Sequence, residues 1–179
     1  MNLNLGCFDQ IVEGWVNTDV TPHIFVARIP MAAVLLHKIG KIDEQRYEQH
    51  RKGLFKTVKY LNVKRRFPFS DGTFDNVFCS HILEHLYKDD VYFCIREVYR
   101  VLKEGGVFRV SVPDLDIAVK NYDPCNPEPF LQIMYEFEQK RDKNRHRWMY
   151  NEHQMRNLLS NAGFCEFTDA RTVRGGALI

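Results

Sequence analysis

The chain has 179 residues, is 45% apolar and 27% charged, and carries a formal net charge of +2. That length suits one domain of ordinary size, and the composition is that of a soluble globular protein. Its longest apolar stretch, Ile24 to Leu36, is interrupted by Arg28 and Pro30. It therefore falls short of the roughly 20 apolar residues of a membrane span. A core helix is the simplest reading of it, and a lid or an interfacial anchor are the others.

The net charge says little about partners, but its distribution says more. Between Lys38 and Arg66 ten Lys or Arg stand against three acids, and Lys140 to Arg147 holds five against Asp142. Such clusters attract phosphates, acidic glycans or anionic membrane surfaces, while the plainer reading is a solvated helix face. The cysteines Cys7, Cys79, Cys94, Cys125 and Cys165 form no CxxC pair and no zinc spacing, so no metal site is expected. Their odd number, without a signal peptide, points to a reducing cytoplasm, with Cys79 and Cys94 acting as small core residues.

In chain order, Leu3 and Leu5 alternate with Asn2 and Asn4 and run into Gly6, a short strand ending in a tight turn. Trp15 to Val20 reads as a second strand. Val26 to Lys38 and Asp43 to Lys56 have helical spacing, separated at Gly40. Val58 to Val63 is a third strand, Ser70-Asp71-Gly72 a turn, and Phe74 to Cys79 a fourth strand. Asp89 to Leu102 carries an apolar helical stripe, with Gly105-Gly106 expected to end the helix. Val107 to Val112 is a strand closed by Pro113, Phe130 to Lys140 a helix, Glu152 to Asn161 another stopped by Gly163, and Phe164 to Ala170 a last strand.

Strands alternating with helices imply a mostly parallel sheet with helices on both faces, an α/β Rossmann-like three-layer sandwich. Ligands in such sheets bind beyond the carboxyl ends of the strands. That places Gly6, Asp19, Asn62, Ser80 and Asp114 along one rim. Gly6 lets a backbone approach a ligand, Asp19 is placed to accept from two ribose hydroxyls, and Asn62 can read an adenine amino group. The turn after the first strand is Gly6-Cys7-Phe8, so there is no G-x-G-x-x-G loop. A phosphate-gripping dinucleotide site is disfavoured, and a cofactor without phosphate is favoured.

The segments Leu3-Asn4-Leu5-Gly6, Gly14-Trp15-Val16-Asn17-Thr18-Asp19, Phe67-Pro68-Phe69, Phe74-Asp75, Ser80-His81-Ile82-Leu83-Glu84-His85-Leu86, Arg100-Val101-Leu102-Lys103-Glu104-Gly105-Gly106 and Val112-Pro113-Asp114-Leu115 resemble the class I S-adenosylmethionine-dependent methyltransferases. More narrowly they resemble the small type 11-like group often encoded near glycan-assembly genes. His146-Arg147-Trp148-Met149-Tyr150, with Leu158-Leu159 and Ala162-Gly163-Phe164, matches that group too. The resemblance covers residues 2 to about 165 and says nothing about the methyl acceptor. It implies one methyltransferase domain over residues 1–179, with a helical insertion at about 21–57.

By that resemblance S-adenosylmethionine is the cofactor. Gly6, Cys7 and Phe8 would line its methionine end, Asp19 its ribose, and Asn62 with Val63 its adenine, while Ser80 and His81 would sit beside the methyl. Phe8 stands where many members have glycine, and Asn62 replaces the usual aspartate. The chain also stops at Ile179, where relatives usually continue into a last antiparallel strand, so the sheet is open to lacking it. Methyl transfer is an in-line displacement in which the protein mainly aligns the reactants, and an oxygen or nitrogen acceptor gains from a base. His81, His146 and Asp114 are the catalytic candidates; His85 reads as structural, and Trp148 and Tyr150 as core aromatics able to stack on a sugar.

The expected function is methyl transfer to a small or glycan-linked acceptor, anionic if the basic clusters face the site. The runner-up is a cofactor-binding protein or partner subunit that no longer catalyses. A nucleic-acid substrate ranks third, peripheral membrane contact remains open, and the oligomeric state is not legible.

Overall fold

The computed structural model describes residues 1–135, 146–168 and 177–178. Strand β1 (Asn2–Leu5) lies inside the sheet, flanked by β2 (Val16–Asp19) and β4 (Phe74–Ser80). Beyond them stand β3 (Lys59–Tyr60) on one side, and β5 (Leu102–Pro113) with β6 (Ala177–Leu178) on the other, giving the order β3-β2-β1-β4-β5-β6. All pairings are parallel except β6 on β5. This is the expected Rossmann-like sheet with flanking helices, and its order reverses between β1 and β4. The last antiparallel strand is present as a two-residue piece, Ala177 and Leu178 pairing with Pro113 and Val112.

The core forms on the face covered by α4 (Lys88–Val101) and α7 (Glu152–Ala162), which contact each other. Val91, Cys94, Ile95, Val98 and Val101 of α4 are fully buried against Leu3, Leu5, Val77 and Cys79. Their three- and four-residue spacing puts them on one helical stripe, and each aliphatic side chain so buried contributes about 1.5–3 kcal/mol. Helix α7 begins at Asn151, whose Oδ1 accepts from the Gln154 amide at 3.0 Å. It stops at Gly163, which has φ of 113° and lies so close to the Tyr99 ring that a Cβ would sit 2.7 Å from it. Only glycine meets both conditions.

Several expected elements change for local reasons. Pro30 splits the apolar helix into α1 (His23–Val26) and α2 (Ala32–Lys38), as its missing N–H requires. The polar helix is α3 (Glu44–Arg51); Gly53 breaks it before a 3₁₀ turn at Leu54–Lys56. The third strand is only Lys59–Tyr60, pairing with Thr18 and Asp19 of β2. Gly105-Gly106 does not end a helix: α4 stops at Val101, and the glycines lie within β5 at a register shift, where pairing jumps from Leu102 to Val107. Residues 164–168 form no strand, although Phe164 and Phe167 pack against the core; 169–170 lie outside the described residues. After α5 (Leu115–Lys120), α6 covers Glu128–Tyr135, and the rest of that expected helix also lies outside them.

The link from β1 to β2, residues 6–15, contains no helix. Two buried asparagines organise it. Asn4 donates to the Gln10 carbonyl and to Asn17 Oδ1, both at 3.0 Å. Asn17 donates to the carbonyls of Val12 and Trp15 and accepts from the Val12 amide. Side chains thus satisfy backbone groups that a crossover helix would satisfy internally.

Helices α1 to α3 form a separate group over this link. His23 Nδ1 and His50 Nε2 are 3.0 Å apart, both rings lie against Phe55, and Cys7, Ile24 and Val58 make a small core beneath. Among the described residues no helix is long and apolar enough to cross a membrane.

Asn17→Ala should lower stability by roughly 2–4 kcal/mol, since it orphans several buried partners at once; chemical denaturation measures it, and a loss below about 0.5 kcal/mol would contradict this account of the link. The histidine pair predicts an acid-sensitive α1–α3 group. Burial first, and then the Arg46 charge, hold both rings below their ordinary value of 6.5, the neighbouring ring adding to this for His23 and Asp43 opposing it there. The unfolded chain therefore takes up more protons as pH falls below 6.5, so the pair's contribution is complete above that pH and is lost just below it. His50→Gln should flatten that part of the pH–stability curve.

Candidate active site

Gly6 leaves β1 with φ of 62°, at the point where the strand order reverses. An added Cβ would lie 2.1 Å from Cδ1 of Ile82, which follows β4. The glycine therefore lets the β4 loop close down on the β1 loop. Phe8 adopts φ of 44°, a left-handed conformation that costs a non-glycine residue about 1–2 kcal/mol. Here Phe8 is held by its amide, which donates to Asp19 Oδ2 at 2.9 Å, and by the Arg46 guanidinium, 4.3 Å from its ring centroid.

Arg46 and Gln49 of α3 also reach Asp9. Burial pushes the Asp9 carboxyl up, but the hydrogen bonds from Gln49 and Gln10 and the Arg46 charge outweigh it and hold the group below its usual range. Asp19, half-buried at the end of β2, accepts from the Phe8 amide on one oxygen and from the Thr21 amide on the other. Each carboxylate oxygen retains a second lone pair. The Cys7 thiol faces away, into the small core with Ile24 and Val58; burial pushes it up to about 12, and the Asp19 charge adds to that.

Asn62 is half-buried beyond β3, and its Oδ1 accepts from the Lys64 amide in a local turn. Val63 is buried in the main core, so any contact with a ligand is through its backbone. Ser80 closes β4 beside Ser111. His81 has φ of 53°, donates its amide to the Ser111 carbonyl, and places Nδ1 3.1 Å from Glu84 Oε1. Its ring is 56% exposed at the rim, whereas Glu84 is fully buried.

The segment 146–150 folds back onto this rim. The amides of Arg147 and Trp148 donate to the Glu84 carbonyl at 2.7 and 3.2 Å, and Arg147 Nε donates to the His85 carbonyl. His146 stands beside His85, ring centroids 5.0 Å apart, with Nδ1 2.7 Å from the Ile133 carbonyl. Asp114 is buried, and its Oδ1 accepts from the Asp116 amide, capping α5. Tyr150 is buried core; Trp148 lies under Lys88 Nζ at 3.6 Å.

The structure thus gathers Gly6, Phe8 and Asp19 at one end of the rim and Ser80 and His81 beside the switch point, with Asn62 past β3. It also joins Glu84 and His85 to His146. Sequence reasoning sought a metal in cysteine spacing and so passed over this set. The basic cluster is partly consumed: Arg46 binds Asp9, Arg51 pairs with Glu48, and Lys64 pairs with Asp90 at 2.9 Å. Residues 140–145 of the second cluster lie outside the described residues.

Residues 40–110 match a family model described as a methyltransferase domain. The match takes in β3, β4 and α4 and leaves Gly6 and Asp19 outside it. The chain also superposes on a Thermotoga maritima S-adenosylmethionine-dependent methyltransferase described as a possible histamine N-methyltransferase, with TM-score 0.55, 16% identity, 92% of this chain and 64% of that one. An Archaeoglobus fulgidus S-adenosylmethionine-dependent methyltransferase gives 0.53, 14%, 92% and 61%. The Burkholderia thailandensis 1,6-didemethyltoxoflavin-N1-methyltransferase, solved with 1,6-didemethyltoxoflavin and S-adenosylhomocysteine, gives 0.53, 14%, 99% and 66%. The chain spans less than two thirds of the length of each of these structures.

Gly6→Ala should cost about 1–3 kcal/mol through overpacking and the positive φ. In a double-mutant cycle with Ile82→Ala the two losses should couple by at least about 0.5 kcal/mol; strict additivity in thermal melts would show that Ile82 is not what demands the glycine.

Proposed function

We propose that this chain is a class I S-adenosylmethionine-dependent methyltransferase, a reading its family match and its sheet order support, and that it transfers a methyl group from that cofactor to a small or glycan-linked acceptor. The observation that carries this reading is Asp19. It ends β2 on the rim, its two oxygens are aimed by the Phe8 and Thr21 amides, and each keeps a lone pair for a ribose hydroxyl. We read residues 1–179 as one methyltransferase domain and 21–57 as a helical insertion within it. The five cysteines are all free thiols, which supports the reducing cytoplasm we propose for it.

The cofactor supplies an activated methyl on a sulfonium, and the chain's own task is alignment. When the cofactor is bound, the backbone of Gly6, Cys7 and Phe8 would border its methionine end, Asn62 and the Val63 backbone its adenine, and Ser80 and His81 would lie beside the methyl. Glu84 fixes the His81 ring at the rim, so that ring faces the incoming acceptor without having to be ordered by it. A second reading, a binder that does not turn over, is favoured by one feature: Ile82 closes on Gly6 and narrows the switch-point crevice.

Calorimetry should show S-adenosylhomocysteine binding and a raised melting temperature. Asp19→Ala should weaken it by roughly 1.5–3 kcal/mol, the worth of hydrogen bonds to a charged group. No heat and no thermal shift at about millimolar ligand would remove the reading. Binding without transfer of labelled methyl to any glycan or small-molecule extract would leave the non-catalytic binder.

A further inference from the structure

We infer that Glu84, His85 and His146 form a binding site for a divalent transition-metal ion, whose open positions take a hydroxyl oxygen of the methyl acceptor. The metal part stands on geometry alone; the acceptor part rests on the methyl-transfer reading.

One donor atom from each of the three side chains lies within 4.8 Å of the others. Two imidazoles and a carboxylate are a donor set suited to zinc, iron, cobalt or nickel, and not to a purely oxygen-seeking ion. Glu84 is fully buried; His81 meets Oε1, while Oε2 has no hydrogen-bond partner among the described residues. A buried carboxylate with one oxygen unmet is costly unless a cation completes it.

The His146 ring is held by its outer nitrogen: a carbonyl oxygen only accepts, so Nδ1, 2.7 Å from the Ile133 carbonyl, donates to it, and Nε2 is the atom we assign to the metal. Metal-bound histidines use a backbone carbonyl in this way to set their orientation, and bound carboxylates likewise carry an outer partner, here His81. The ligands are also held by backbone: Arg147 and Trp148 donate to the Glu84 carbonyl, so His146 cannot drift from the turn that bears Glu84 and His85.

The turn Leu83–His85 follows directly on the end of β4 and His81, so an ion there sits on the rim where transfer takes place. Three protein ligands leave one or more positions open, and a metal-bound hydroxyl loses its proton far more readily than a free one. On transfer the hydroxyl proton leaves to solvent, its oxygen forms the new O–C bond, and the electron pair of the broken S–C bond stays on sulfur. The acceptor atom is therefore oxygen.

The test is a Co²⁺ titration of the chelator-stripped protein, followed by its visible absorption bands and by calorimetry. One Co²⁺ per chain is expected, displaced by Zn²⁺, and acetohydroxamate, an oxygen chelator, should shift the bands. His146→Ala and His85→Ala should each weaken Co²⁺ by about tenfold or more, while S-adenosylhomocysteine affinity and the circular dichroism spectrum stay within error. Absence of Co²⁺ bands at about millimolar metal, or equal Co²⁺ affinity in the wild type and His146→Ala, overturns the site. Bands that acetohydroxamate leaves unchanged overturn the open position. Co²⁺ binding without S-adenosylhomocysteine binding would instead sink the methyl-transfer reading and leave the metal site standing.

Discussion

Burying the carboxylate of Glu84 constrains the rim more than any other interaction. His81 reaches one carboxylate oxygen; the amides of Arg147 and Trp148 hold residue 84 in place through its backbone carbonyl, and the Glu84 charge adds to the burial that pushes the Tyr150 hydroxyl pKa upward. The left-handed φ of His81 follows, because the chain must turn sharply after β4 for residue 84 to face inward. Strain at His81 and burial at Glu84 are two aspects of one local geometry, and such strain is characteristic of sites that do chemistry.

The opposite end of the rim is held by different means. With no helix between β1 and β2, the link depends on Asn4 and Asn17 for its hydrogen bonds and on α3 for its cover. Arg46 joins the two, stacking over Phe8 while bonding Asp9. The strain of Phe8 at positive φ is offset by contacts that exist only because α3 lies above it. The α1–α3 group thus acts on the turn after β1, and the histidine pair that ties α1 to α3 is part of the same support.

These two ends meet at Gly6 and Ile82, where the β1 and β4 loops touch. The crevice there is narrow, and the residues facing it are fixed by backbone hydrogen bonds more than by mobile side chains. That rigidity suits a reaction whose main requirement is alignment. Of the basic residues between Lys38 and Arg66, Arg46, Arg51 and Lys64 are engaged in internal or local ion pairs.

The alternation of strands and helices, the apolar stripe of α4, the stop at Gly163 and the rim order of Gly6, Asp19 and Ser80 were all legible in the sequence, because each depends on residues close together in the chain. Periodicity and turn chemistry are local, and they report local structure faithfully. The readings that changed depend on pairing or packing at a distance. Val58 to Val63 has the pattern of a full strand, yet only Lys59 and Tyr60 pair with β2; Gly105-Gly106 looks like a helix stop, yet β5 absorbs it as an irregularity in its pairing with β4. Asp114, placed on the rim from the sequence, also caps a helix through its bond to the Asp116 amide. The meeting of Glu84 and His85 with His146 has no signature in spacing at all, since residues far apart in the chain come together only when the 146–150 segment is bonded back onto the end of β4.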